Sequence, residues 1–160
     1  MSRGPDWNQT RALIAARLEP DERLAGMFTA ITPYPESYSH GTIFIPELIL
    51  LVRAAEHAVW RRSTQAASRS SQVPLAPRMI IAITDRRLVV WAADRRWRPR
   101  RLAGALSRDR IIGVTAKEGT SRVRTVVLEL SAGETVTIRV DPEVAGVLPG
   151  MLVDASESAS

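Results

Sequence analysis

The sequence predicts a mainly β domain with capping helices, and three observations carry that prediction. Between Met79 and Val140 the chain holds short apolar, β-branched runs divided by turns of Asp, Arg, Gly and Ser. The last of these runs alternates: Val136, Ile138 and Val140 share one face, and Thr135, Thr137 and Arg139 share the other. An amphipathic segment follows, opened by Asp141-Pro142, which suits a helix that covers the open end of a bent sheet.

Taken in order, the first element is a helix. Asp6 caps it, Gln9 completes a capping-box pattern, Ile14 and Leu18 share a face, and Pro20 ends it. Arg23 to Thr32 reads as a first strand through Leu24, Met27, Phe28 and Ile31. Pro33 to His40 is a loop rich in Pro, Tyr and Ser. Pro46 suits the first turn of an inserted helix over 47–62, where Leu48, Leu51, Val52, Ala55 and Val59 recur at helical spacing. Ser63 to Pro77 reads as a polar, mobile linker. Strands are then expected over 79–84, 88–93, 101–106, 111–117, 123–130 and 135–140. Turns separate them at Asp85-Arg86, Ser107 to Asp109, Gly119 to Ser121 and Ser131 to Glu134. In the closing helix, Val144, Val147, Leu148, Met151 and Leu152 line one face, and Pro149-Gly150 predicts a break near Leu148. The expected organisation is one domain over 1–154, with the inserted helix and linker at 46–77 and a disordered tail at 155–160.

This pattern resembles a bacterial pleckstrin-homology-like domain. The likeness lies in Met79 to Ala93 (MIIAITDRRLVVWAA), with its Thr84 to Leu88 hairpin corner, and in Leu102 to Gly119 with Ile111 to Val114. Leu18 to Glu22 before the first strand also fits. The resemblance covers Leu18 to about Val153, apart from the insertion. It implies a seven-stranded, strongly bent antiparallel β-barrel closed by the C-terminal helix. It implies no shared activity: such domains bind lipids, peptides or proteins, or serve as scaffolds.

Composition narrows the chemistry. The 160 residues include no cysteine, which excludes disulfides, thiolate nucleophiles and cysteine-based zinc sites. The N-terminus lacks the apolar region of a signal peptide, and no apolar run approaches the ~20 residues of a membrane span. A cytoplasmic location is expected. Neither His40 nor His57 lies in a pattern that would activate a nucleophile, and no phosphate-binding, dinucleotide or zinc-protease motif occurs. Asp21, Glu22 and Asp109 read as solvated surface. The expectation is a protein without catalysis, cofactor or metal.

Two surfaces remain. The net charge is +5, and Lys117 is the only lysine among its cations. Arginine in that excess reflects either phosphate contact or a composition biased toward arginine. The densest cluster is Arg95, Arg96, Arg98, Arg100 and Arg101 around Trp97, with Asp94 as its one acid. Contact between such a cluster and anionic lipid contributes about 1 kcal/mol per basic residue, so firm attachment needs a second signal. The inserted helix offers Leu48, Leu51, Val52, Val59 and Trp60 as a face for a protein partner. A protein-interaction or scaffold module is therefore the leading expectation. Peripheral binding of anionic phospholipid through the arginine loop comes second. Non-specific nucleic-acid binding comes third, supported by charge alone.

Overall fold

A computed structural model of the chain describes residues 4–33, 46–119 and 122–157; for 46–53 and 153–157 it describes the backbone element only. These residues form α1 (Trp7–Ala15), β1 (Leu24–Ile31), α2 (Pro46–Ser71), β2 (Arg78–Thr84), β3 (Arg87–Ala93), β4 (Pro99–Ser107), β5 (Ile111–Lys117), β6 (Arg124–Leu130), β7 (Thr135–Val140) and α3 (Pro142–Glu157). A 3₁₀ turn at Arg108–Arg110 joins β4 to β5.

The strands make one antiparallel sheet in the order β4-β3-β2-β1-β7-β6-β5. That order is two meanders, β1 to β4 and β5 to β7, joined where β1 pairs with the last strand through Ala30 with Val140 and Ile31 with Arg139. The sheet is not closed. β4 and β5 are its edges, and among the described residues no ladder joins them. The closed barrel expected above is therefore corrected to an open sheet. α3 packs on β5 and β6 beside the gap.

The central strand β2 is buried on both faces. Met79, Ile81 and Ile83 point into the main core with Val90, Leu128 and Ile138. Ile80 and Ala82 point the other way, against Ile14 of α1 and Val89 and Trp91 of β3. Burying a side chain of this kind contributes about 1.5–3 kcal/mol, so both layers hold the sheet. The Asp6 carboxylate caps α1 by accepting from the amides of Asn8 and Gln9.

Several boundaries differ from the expectation. α1 ends at Ala15, short of Leu18. α2 does not stop at Arg62 but runs on to Ser71, and what is left of the expected mobile linker, residues 72–77, is anchored by Val73 and Ala76 buried in the core. Residues 63–71 contain no glycine or proline. Their polarity matches that of a linker, but it makes a mainly solvated helix face with Thr64 and Ser71 buried beneath it. The Arg110 guanidinium donates to the Ser71 and Gln72 carbonyls at 3.1 Å each. It thereby caps the extended helix where Gln72 turns to φ 55°. α3 passes through Pro149 without the expected break and reaches Glu157, so 155–157 are helical and not tail. Burial of Ala145, Leu148 and Leu152 offsets the hydrogen bond that proline cannot donate. The expectations for residues 34–40, 120–121 and 158–160 lie outside the described residues.

Candidate anion-binding site

The arginine cluster is a hairpin whose shape one carboxylate sets. β3 and β4 pair from Arg87 with Ser107 to Ala93 with Pro99. At the tip, the Asp94 amide donates to the Arg98 carbonyl at 3.1 Å, and the Trp97 amide donates to the Asp94 carbonyl at 3.0 Å. Asp94 Oδ1 accepts from the amides of Arg96 and Arg98, and Oδ2 accepts from Nε of Arg98 and of Arg100 at 3.0 Å each. The Arg98 amide, aided by these other donors, holds the Asp94 carboxyl far below the usual carboxylate range.

This closure puts Trp97 at φ 59°, a conformation that suits glycine and costs a bulky residue about 1–2 kcal/mol. Its side chain is half-buried while Arg95, Arg96 and Arg98 around it are exposed.

At the base of the hairpin lies a cleft of about 430 Å³. α2 contributes His57 and Arg61, one turn apart on a single face. Arg78 comes from the start of β2, Arg95 from the hairpin, and Arg100 and Arg101 from β4. Ala76, Pro77, Ala92 and Ala93 give an apolar floor. The sheet register explains the meeting. Met79 pairs with Ala92 and Ala92 with Arg101, so Arg78 stands one residue beyond that row. Among the described residues Asp94 is the only acid lining the cleft, and its oxygens are already engaged.

His57 reports the resulting field. Burial lowers its pKa below the ordinary 6.5, and the charges of Arg61, Arg95 and Arg78 lower it further. Its ring meets Trp60 edge-on, with centroids 6.2 Å apart. Such a site can hold an anion by charge and by guanidinium hydrogen bonds. Among the described residues that line it, none brings a hydroxyl or an uncommitted carboxylate.

Of the residues singled out by sequence, Arg95, Arg100 and Arg101 line this cleft. Arg96 and Trp97 sit at the tip, and Arg98 turns back to Asp94. Sequence reasoning missed His57, Arg61 and Arg78 as partners of this cluster. The spacing of His57 and Arg61 on one helix was visible, but the strand register that brings Arg78 beside them was not.

The helix face is used differently. Trp60, expected to face a partner, is 2% exposed. Its Nε1 donates to the Thr32 carbonyl at 3.1 Å and to Thr32 Oγ1 at 2.9 Å. Val59 is half-buried, and the side chains of Leu48, Leu51 and Val52 lie outside the described residues. Glu22, expected at the surface, is also buried and paired with Arg87.

A comparison with protein-family models and with curated proteins finds no match for the chain. Among the described residues no helix is long and apolar enough to cross a membrane.

Proposed function

We propose that the chain is a binding module of pleckstrin-homology-like fold that attaches peripherally to anionic phospholipid through the β3–β4 hairpin. The observation that carries this reading is the hairpin itself. It presents five arginines against one saturated aspartate, and it keeps a tryptophan at a strained position where glycine would be easier. An indole beside guanidinium groups suits the headgroup layer. It also supplies the second signal that charge alone lacks. The seven-stranded antiparallel sheet with α3 packed on β5 and β6 supports the fold half of the reading. The inward position of Trp60 takes the largest anchor from the protein-partner surface on α2, which favours the hairpin as the contact.

Co-sedimentation with neutral and anionic vesicles, at low and physiological salt, tests the proposal. Binding to anionic vesicles alone is expected, weakening as salt rises. Serine at Arg95, Arg96, Arg98, Arg100 and Arg101 should abolish it. Equal binding to neutral vesicles, or none to either, would overturn the reading.

A further inference from the structure

We infer that the cleft between α2 and the base of the β3–β4 hairpin is a discrete pocket for a phosphate monoester dianion. The inference rests on the anion-binding reading, but it concerns a bounded site and not the charge of the hairpin tip.

Convergence is the first argument. Arginines line the cleft from α2 (Arg61), β2 (Arg78), the hairpin (Arg95) and β4 (Arg100, Arg101), and the charges of Arg61, Arg95 and Arg78 all act on His57 within it. Like charges gathered from four places repel each other unless something opposite sits between them. Among the described residues nothing does so fully. Asp94 is committed to Arg98 and Arg100, and among the described residues Arg61, Arg78, Arg95 and Arg101 form no ion pair.

The second argument is the chemistry of the occupant. A compact tetrahedral dianion offers three oxygens to several guanidinium forks at once. A carboxylate or a phosphodiester brings one charge and leaves more of the repulsion in place. The volume lies within the roughly 300–1,000 Å³ of small-molecule sites. The floor of Ala76, Pro77, Ala92 and Ala93 gives the organic part of a monoester an apolar wall. Such a group comes from a soluble metabolite or from a lipid headgroup.

His57 provides a built-in reporter. The charges facing it are Arg61 on its own helix, Arg78 on β2 and Arg95 on the hairpin. A bound dianion opposes all three, so His57 should take up a proton as the site fills.

The test follows the His57 ring resonance by NMR in the full chain during titration with inorganic phosphate, then with glycerol 3-phosphate. A saturable shift is expected, together with a rise in the pKa of His57. Arg61→Gln, at an exposed position, should weaken both ligands about tenfold or more, as expected for a lost charged hydrogen bond. Arg96→Ser at the tip should change them less than about twofold while reducing vesicle binding. Phosphatidic acid vesicles preferred over phosphatidylglycerol vesicles at equal charge would support the pocket and identify a headgroup as its source. Soluble-ligand binding without that preference would support it and identify free phosphate. No saturable shift while anionic vesicles still bind would overturn the pocket and leave the surface reading standing. No binding of any kind would overturn both. An oligonucleotide phosphodiester shifting His57 as strongly as the monoesters would also overturn the inference.

Discussion

The carboxylate of Glu22 receives Nε of Arg87 at 2.8 Å and Nη2 at 3.0 Å, a two-pronged pair between the segment before β1 and the β2–β3 hairpin. The Thr84 hydroxyl adds a third bond to Oε1 at 2.7 Å, and the Glu19 amide a fourth to Oε2 at 3.1 Å. The Glu22 side chain has no solvent exposure. Two short stretches that looked like separate motifs in the sequence, Leu18 to Glu22 and Thr84 to Leu88, are thus halves of one buried junction. On its exposed side Arg86 adds ion pairs to Glu19 and Asp21.

Stability should depend on pH through this junction. Arg87 above all, with help from Thr84 and the Glu19 amide, holds the Glu22 pKa down from 4.5 to about 2. A carboxyl depressed in the folded state stabilises the fold in full above its unfolded value and loses that contribution as pH falls toward the folded value. The window is therefore pH 4.5 down to about 2. Glu22→Gln should cost roughly 2–3 kcal/mol at pH 7 and almost nothing near pH 2. Urea denaturation of both proteins at several pH values measures the difference directly. A gap that stays constant from pH 7 to pH 2 would show that the charge of Glu22 is not what stabilises the junction.

A second junction lies at Arg108. Its guanidinium donates to the Thr84 carbonyl at 2.9 Å and to the carbonyls of Met151 and Leu152, tying α3 to the β2–β3 corner. Burial lowers its pKa, yet it remains a cation surrounded by carbonyl oxygens. Arg108→Met should destabilise the protein by about 2–3 kcal/mol, since several bonds to a charged donor are lost together. Hydrogen exchange should quicken in the last turns of α3 before it does in β2. Uniform acceleration across both elements would argue against a local tie.

Arg110 plays the matching part for α2. Removing its bonds to Ser71 and Gln72 by Arg110→Ala should cost about 1–2 kcal/mol. It should also speed exchange of the amides of residues 63–71. The amides of β2 and β3 should keep their protection. Unchanged exchange over 63–71 would mean that the buried Thr64 and Ser71 hold the helix end without the cap.

What the sequence disclosed follows from which forces are local. β5 and β7 were read with the observed bounds because alternation and flanking turns lie within the strands themselves. Each of the other strands lies within two residues of the expected bounds at either end. The end of α2 was not legible, because its cap comes from Arg110, about forty positions away, and its polar composition matches a linker. Glu22 and Trp60 were placed at the surface for the same reason. Their partners, Arg87 and Thr32, are remote in the chain, and burial of a polar atom depends on finding such a partner. The arginine cluster was plain in the sequence. That Arg61 and Arg78 complete it depends on the register of β2 and β3 and on how α2 lies beside them.

Trp97 allows stability and binding to be separated. At φ 59° a tryptophan holds strain that glycine would not. Trp97→Gly should therefore raise stability by up to about 1 kcal/mol, reduced by whatever contact the half-buried ring makes. The hydrogen bonds from the Arg96 and Arg98 amides to Asp94 should keep the hairpin closed in the variant. If the hairpin contacts lipid as proposed, binding to anionic vesicles should nevertheless fall several-fold, because the variant lacks the indole while every arginine remains. Thermal unfolding and vesicle co-sedimentation on the same preparation give both quantities. A variant that is more stable and binds as well as the parent would show that the strain at Trp97 serves something other than lipid contact. A variant that loses both would show that the indole is a structural plug of the hairpin.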